Sequence, residues 1–204
     1  MSDASVTHFA IGAQEVEESP LGVSWQKLMM WIFIVSDGLL FAGLLSGYAF
    51  VRIASPAWPN QAEVFHLSMI AFMTFLLISS SATMASAVAA AGRADRGATV
   101  RFLIFTILGG LGFLGMQAYE WTTLIQEGAQ LSSNPWGVPV FGAVFFTITG
   151  FHGSHVLSGV VILAITAWRM AAGKSTAAGI ELAGLYWHFV DLVWVFIFTL
   201  FYLI

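Results

Sequence analysis

The sequence has no cysteine in 204 residues, and charged side chains make up only 9% of it. Without cysteine the chain has no disulfide, no thiolate metal site and no cysteine nucleophile. A soluble domain typically carries about 25% charged residues, so the low charge excludes an ordinary soluble domain. The seven Lys and Arg are scattered over the whole chain. Because they form no basic patch, we expect no nucleic-acid partner.

The parts of the sequence that lack charge are long apolar runs. A helix needs about 20 apolar residues to cross the hydrocarbon core of a bilayer, and five segments are long enough. We therefore predict an all-α, polytopic membrane protein, a five-transmembrane-helix bundle. The strands of a transmembrane barrel alternate over short segments, unlike these continuous runs. The predicted spans are about 27–52, 64–91, 99–126, 138–170 and 182–203.

The first 24 residues differ from the rest in being polar and acidic. Their acidic side chains are Asp3, Glu15, Glu17 and Glu18. They lack the basic start and the apolar run that define a signal peptide. We therefore expect residues 1–24 to be retained as an N-terminal tail, followed by a membrane domain over residues 25–204.

The positions of Lys and Arg predict the orientation. Cytoplasmic loops of membrane proteins carry an excess of these two residues. With the N-terminus inside, six of the seven fall on the cytoplasmic side and only Arg52 falls outside. The six are Lys27, Arg93, Arg96, Arg101, Arg169 and Lys174. We predict a cytoplasmic N-terminus and a C-terminus outside.

Small side chains on two spans predict close helix packing. Gly43 and Gly47 form a GxxxG pair on the first span, and Gly150, Ser154 and Ser158 recur at four-residue steps on the fourth. Such stripes let helix backbones approach each other closely in lipid.

Seven ionisable residues fall within the spans, where a charge at the bilayer centre costs on the order of 2.5–3.5 kcal/mol. They are Asp37, His66, Glu120, His152, His155, His188 and Asp191. His66 is near a helix end and can reach the interface. The other six need partners, because a buried carboxylate must be protonated, paired or well hydrogen-bonded.

The depth of these residues follows from the helical rise of about 1.5 Å per residue. Asp37 lies about 15 Å from the Lys27 end of its helix, and His188 and Asp191 lie about 9–14 Å in from the same side. His152 and His155 fall near the middle of the fourth span. Five of the six therefore share the inner half to the middle of the bundle, and Glu120 is closer to the outer end.

Three interpretations of this set remain open: a structural one, a metal site, and a proton or ion route through Asp37. In the structural one, His152 with His155 and His188 with Asp191 tie helices together from i,i+3 positions. The metal site is disfavoured, because the sequence lacks the paired Glu-x-x-His motifs of di-iron bundles and a His-Glu-x-x-His motif. The four intramembrane histidines are too few for a haem-copper centre, so any redox centres lie elsewhere.

Four segments resemble subunit III of the haem-copper oxidases, especially that of cytochrome c oxidase. The segments are SDGLLFAGLLSGYAF (36–50), FLGMQAYEW (113–121), FFTITGFHGSHVLSG (145–159) and YWHFVDLVWVFIFTLFYL (186–203). The resemblance covers all five spans in the family's order. It matches the short, five-helix bacterial form of the family rather than the seven-helix form.

The resemblance implies a non-redox accessory subunit of a proton-pumping terminal oxidase, in which this chain is not itself catalytic. It implies direct packing on oxidase subunit I, in a complex with subunit II and, as a further candidate, a small subunit IV. Haem and copper would reside in those partner subunits, and cytochrome c would donate electrons for the reduction of oxygen to water. This chain would bind structural phospholipids in the bacterial cytoplasmic (inner) membrane.

The resemblance also implies roles for individual residues. Asp37 falls where the family usually has a glutamate, so we expect it to support proton uptake. The other motif residues are expected to be structural polar or lipid-binding residues: Glu120, His152, His155, His188, Asp191, Trp187 and Trp194. No residue is expected to be catalytic or to bind a metal. We further expect His188 and Asp191 to form a hydrogen-bonded pair that fixes the last helix.

Several alternatives stay open beside this assignment. Aspartate at position 37 is also familiar in quinol oxidase subunit III, while FHGSHV and YWHFVD favour the cytochrome c branch. A homologue associated with nitric-oxide reductase is a second rival within the family, and a membrane metalloenzyme and a secondary carrier are rivals outside it. Because the short form lacks the first two helices, which form one wall of the family's lipid cleft, we expect partner helices to supply that wall.

Overall fold

Five long helices dominate the computed structural model, which describes residues 21–204. The elements are α1 (Trp25–Ala54), α2 (Gln61–Val64), α3 (Leu67–Gly92), α4 (Arg96–Gln126), α5 (Pro139–Ala171), α6 (Ala177–Phe198) and a final π-helical turn (Thr199–Leu203). All five long helices are long and apolar enough to cross a membrane, which confirms the predicted helical bundle. The expected acidic tail, residues 1–24, lies almost entirely outside the described residues.

Polar caps set the helix boundaries that the apolar pattern missed. α6 begins at Ala177, five residues before the predicted span, because the Thr176 hydroxyl accepts a hydrogen bond from the Gly179 amide at 3.2 Å. α3 begins three residues later than predicted, at Leu67. The chain before it forms the separate helix α2, which Asn60 caps. Such caps satisfy amides that have no partner within the helix.

The alternating direction of the long helices gathers the cations at one end. α1, α4 and α6 run one way, and α3 and α5 run the other way. The starts of the first group and the ends of the second therefore share one end, which we call the basic end. It carries Lys27, Arg93, Arg96, Arg101, Arg169 and Lys174. The opposite end, which holds α2 and Arg52, we call the α2 end.

The core lies among α3, α4, α5 and α6, with α6 most enclosed. In an apolar stretch of 18 residues, about 56% of the residues are buried in α6, against 17% in α1. α1 contributes two buried side chains, Phe41 and Tyr48. It therefore lies at the side of a four-helix core.

α1 is attached to α6 near both of its ends. At the basic end, Lys27 Nζ lies 2.6 Å from Glu181 Oε1. At the α2 end, the Tyr48 hydroxyl donates to the Leu200 carbonyl at 2.9 Å. Arg52 donates to the Tyr48 hydroxyl at 2.8 Å and to the carbonyl of Ile204. These contacts hold α1 parallel to α6 although about 150 residues separate them in sequence.

Two adjacent glycines let α4 approach its neighbours. A Cβ atom on Gly109 would lie 2.6 Å from Ser80 Cβ of α3, and one on Gly110 would lie 2.5 Å from the Trp187 ring of α6. Gly43 and Gly47, which the sequence singled out, have no atom of the described residues within 4 Å of such a Cβ. Their GxxxG stripe therefore does not pack within the described residues.

We expect Gly110→Ala to destabilise the protein by about 1–3 kcal/mol, because the added methyl overpacks the contact with Trp187. Thermal unfolding of the detergent-solubilised protein measures the effect as a lowered Tm. Gly115→Ala is the matched control, since a Cβ there meets nothing within 4 Å. An equal Tm for the two variants contradicts the packing role of Gly110.

Candidate functional site

The tryptophans of α6 are hydrogen-bonded to hydroxyl groups of α3. Trp187 Nε1 donates to Ser80 Oγ at 3.1 Å, and Trp194 Nε1 donates to Thr74 Oγ1 at 3.0 Å. Both rings are almost completely buried. An indole N–H that leaves water needs an acceptor, and the α3 hydroxyls supply it. We call this contact the α3–α6 seam.

His188 and Asp191 also face α3, but as separate groups. His188 Nδ1 lies 2.6 Å from Ser81 Oγ. Asp191 is buried, and its Oδ1 has no partner among the described residues. The expected hydrogen bond between His188 and Asp191 is not among the hydrogen bonds of residues 21–204, because the imidazole bonds to the neighbouring helix instead. His188 contributes to fixing α6 through its contact with Ser81 of α3.

Asp37 and His155 form the clearest acid–base contact. His155 Nε2 lies 3.4 Å from Asp37 Oδ2, with the two side chains 15% and 10% exposed. His155 Nδ1 lies 2.8 Å from the Phe151 carbonyl. Because a carbonyl only accepts, this contact places a proton on Nδ1. Nε2 faces the carboxyl, although Asp37 Oδ2 has no hydrogen-bond partner among the described residues.

Polar groups of α5 and α6 adjoin this pair. The Tyr186 hydroxyl lies 2.7 Å from Ser158 Oγ and 3.2 Å from the carbonyl of His155. The Phe41 ring of α1 covers His155 with a centroid distance of 5.3 Å. Asp37, His155, Ser158 and Tyr186 thus join three helices, and we call them the α1–α5–α6 polar cluster.

A cleft separates the first half of α1 from α5 and α6. It has a volume of about 680 Å³, and its side walls are mainly apolar. Ser158 and Tyr186 border it, so it reaches the polar cluster. The walls of this cleft, which we call the α1 cleft, include Met29, Met30, Phe33, Ile162, Leu182 and Ala183.

The α1 cleft continues into a second cavity at the basic end. This cavity measures about 410 Å³ and shares Gln26 and Thr166 with the cleft. The cations Arg169 and Lys174 border it. Together the two cavities form an apolar cleft whose opening at the basic end, the cleft mouth, is bordered by cations.

Glu120 and His152 lie inside the four-helix core. Glu120 is 4% exposed, and the Tyr202 hydroxyl donates to its Oε2 at 3.1 Å. His152 is fully buried and stacks on the Trp194 ring with centroids 5.2 Å apart. Neither ring nitrogen of His152 has a partner among the described residues.

The predicted residues therefore fall into three places. Trp187, His188, Asp191 and Trp194 line the α3–α6 seam, with His152 stacked against it. The sequence predicts comparable depths for Asp37 and His155, and their side chains are in contact in the structure. Glu120 stands apart near the α2 end, as its depth predicts. None of these eight residues lines the α1 cleft or its basic mouth, so lipid binding by them stays a prediction.

Sequence reasoning missed the partners of these residues. Of the α3 partners, Ser80 and Ser81 belong to a hydroxyl-rich stretch and Thr74 lies before it. The polar cluster includes Tyr186. The signal was present in the stretch ISSSAT (78–83), where three serines and a threonine interrupt an apolar span. In residues 21–204, no three His, Asp or Glu side chains gather closely enough to hold a metal ion.

Comparison with known proteins identifies the family of this chain. The family model described as cytochrome c oxidase subunit III matches residues 21–204. Cytochrome c oxidase subunit 3 of Bacillus sp. (strain PS3) is 33% identical over 86% of this chain and 84% of its own length. The protein of that name from Corynebacterium diphtheriae is 36% identical over 85% of each chain. Quinol oxidase subunit 3 of Bacillus spizizenii is 34% identical, over 86% of this chain and 85% of its own.

The helical bundle and these relatives define a multi-pass membrane subunit of a haem-copper oxidase complex. More narrowly, the chain belongs to the cytochrome c oxidase subunit III family. The motif-based resemblance is thereby confirmed at the level of the family.

We expect Thr74→Val to destabilise the protein by about 1 kcal/mol, because the buried indole N–H of Trp194 loses its acceptor at nearly constant volume. The Tm of the purified complex measures the effect. Thr122→Val is the control, since Thr122 is exposed and its hydroxyl bonds a carbonyl of its own helix. If both variants lower the Tm equally, the seam bond does not contribute as inferred.

Proposed function

We propose that this chain is the non-redox accessory subunit III of a proton-pumping cytochrome c oxidase, stabilising subunit I, holding structural phospholipid and supporting proton uptake. The observation that carries the proposal is the contact between Asp37 and His155, placed where the apolar α1 cleft ends in polar groups. In this proposal the chain itself is not catalytic. Haem and copper reside in partner subunits I and II, a small subunit IV is a further candidate member, and cytochrome c supplies the electrons.

The α1 cleft suits a phospholipid by size and by chemistry. The cleft and the adjoining cavity measure about 680 and 410 Å³. Each volume lies within the usual range of ligand sites, roughly 300–1,000 Å³. Acyl chains fit between apolar residues such as Phe33 and Ile162. A phosphate accepts charge-assisted hydrogen bonds from Arg and Lys. Neither Arg169 nor Lys174 forms a salt bridge within residues 21–204, so both cations are available for a headgroup.

The polar cluster suits a supporting role in proton uptake. The Asp37–His155 pair can move one proton between a carboxyl and an imidazole without a net change in buried charge. Moving a proton this way avoids the cost of an isolated ion in the bilayer. The α1 cleft connects this region with the headgroup level at the basic end, where protons for subunit I are collected in our proposal.

The basic end is the cytoplasmic end in this proposal. Six of the seven Lys and Arg lie there, and the positive-inside rule then places the N-terminus in the cytoplasm and the C-terminus outside. For a bacterial oxidase the membrane is the cytoplasmic (inner) membrane. Accessibility labelling of single cysteines introduced at Arg93 and at Asn60 of intact cells distinguishes this orientation from its inverse.

Subunit I, or an extension of it, is the proposed cover for the outer face of α1. That face carries large exposed apolar side chains, including Ile32, Val35 and Leu39. A structure of the assembled complex that leaves this face to bulk lipid contradicts the assignment.

A quinol oxidase is the second candidate, and two observations favour it. One relative of equal similarity is named quinol oxidase subunit 3, and position 37 is aspartate rather than glutamate. The motifs FHGSHV and YWHFVD favour the cytochrome c branch. Oxygen consumption by the purified complex with reduced cytochrome c or with a quinol decides between the two.

We expect Asp37→Ala to leave the haem spectrum of the complex intact while lowering the proton-uptake rate or sustained turnover, because the variant removes the shared proton site. Stopped-flow proton uptake and prolonged oxygen consumption measure the effect. Ser36→Ala is the matched control, since Ser36 is exposed and bonds only its own helix. Loss of haem from the Asp37 variant counts against a purely supporting role, and unchanged kinetics contradict the proton role.

We expect Arg169→Gln combined with Lys174→Gln to lower the amount of anionic phospholipid that co-purifies with the complex, because both cations border the cleft mouth. Mass spectrometry of extracted lipid measures it. Arg93→Gln serves as the control, because Arg93 is exposed at the same end but borders neither cavity. Equal lipid content in the double variant and the control argues against a headgroup at this mouth.

A further inference from the structure

Glu120 is incompletely paired at the α2 end of the bundle. It lies about 9 Å inside the end of α4, since six residues at about 1.5 Å each separate it from Gln126. Tyr202 donates to its Oε2, while Oε1 has no partner among the described residues. No Lys or Arg of residues 21–204 forms a salt bridge with it. Burying a carboxyl with a single hydrogen bond is costly, so a further polar group must complete its surroundings.

Gln117 shows the same deficiency one helical turn deeper. It shares the buried face of α4 with Phe113, Glu120 and Leu124. It is 5% exposed, and neither its amide oxygen nor its amide nitrogen has a partner among the described residues. Buried polar atoms in folded proteins nearly always have a partner, which is often an ordered water. Gln117 does not border the cavity beside Glu120, so the water inferred below concerns Glu120.

A small cavity beside Glu120 is at the lower limit of the volume that one water molecule needs. Its volume is about 10 Å³, and one water molecule needs on the order of 10–15 Å³. His66 and Glu127, which are exposed, also border it, so the cavity lies between the buried carboxyl and the surface of the α2 end. Thr123 of α4 and Met69 of α3 complete its sides.

We propose that this cavity holds one water molecule bonded to Glu120, and that through it Glu120 exchanges its proton with the aqueous phase at the α2 end. In the exchange the carboxyl O–H bond breaks, the water becomes hydronium, and the proton passes to bulk water; the reverse steps restore the acid. The titratable groups facing the site are Tyr202 from the π-helical turn, His66 before α3 and Glu127 after α4. The site is distinct from the Asp37–His155 pair.

Infrared spectroscopy of the purified oxidase complex tests this proposal. The C=O stretching band of the protonated Glu120 carboxyl is identified by its loss in Glu120→Gln. We expect this band to shift promptly when H₂O is replaced by D₂O. Thr123→Met fills the cavity and is expected to slow the exchange roughly tenfold, which corresponds to about 1.4 kcal/mol on the barrier. Thr123→Val keeps the volume of the side chain and is expected to exchange like the wild type.

A second variant keeps the test decisive if Glu120→Gln fails to assemble. Tyr202→Phe removes only the hydrogen bond to Oε2 and should move the Glu120 band to higher frequency without abolishing it, which assigns the band independently. The proposal is overturned if no Glu120 acid band exists at any accessible pH. It is also overturned if the band resists D₂O in the wild type, or if Thr123→Met exchanges as fast as Thr123→Val.

Discussion

Two buried indole N–H groups need hydrogen-bond acceptors where no water is present. The rest of the structure depends on how this need is met. Trp187 and Trp194 of α6 satisfy it on α3 hydroxyls, which fixes the rotation of α6 about its own axis. The Trp187 ring then lies against Gly110 of α4 and Gly159 of α5. The same bonds therefore fix how near these two helices can come to α6. Apolar surface alone would not select this arrangement in a bilayer, because lipid tails solvate leucine as well as a neighbouring helix does.

α1 follows a different principle, because it is attached near its ends and stands away from the core along its first half. The Lys27–Glu181 salt bridge and the Tyr48–Leu200 hydrogen bond hold it parallel to α6. On one side this leaves the α1 cleft. On the other side a smaller groove of about 220 Å³ runs past Phe41 and Phe189. The Asp37–His155 pair lies between these attachments, so the helix least embedded in the protein carries the residue that we propose supports proton uptake.

The sequence predicted what depends on length and depth, and it missed what depends on helix rotation. Five spans followed from apolar run length. The meeting of Asp37 with His155 was compatible with a depth estimate, but depth cannot say which helices are neighbours. Gly43 and Gly47 have the pattern of a packing stripe yet face no other helix within residues 21–204, because the pattern is the same for a surface that meets another protein or lipid. The serines of α3 were overlooked because a hydroxyl in an apolar span can always bond its own helix.

The contact of Arg52 and Tyr48 with the last helical turn has a consequence for biogenesis. The carbonyls that these side chains bond belong to Leu200 and Ile204, which leave the ribosome about 150 residues after α1. α1 therefore gains these contacts only after the last helical turn has been synthesised. Until then the Arg52 guanidinium lacks the carbonyl partners of the last turn, and lipid phosphates are suitable temporary ligands for it. The bundle is therefore completed by the contact between α1 and the last helical turn, rather than by packing each new helix on the one before it.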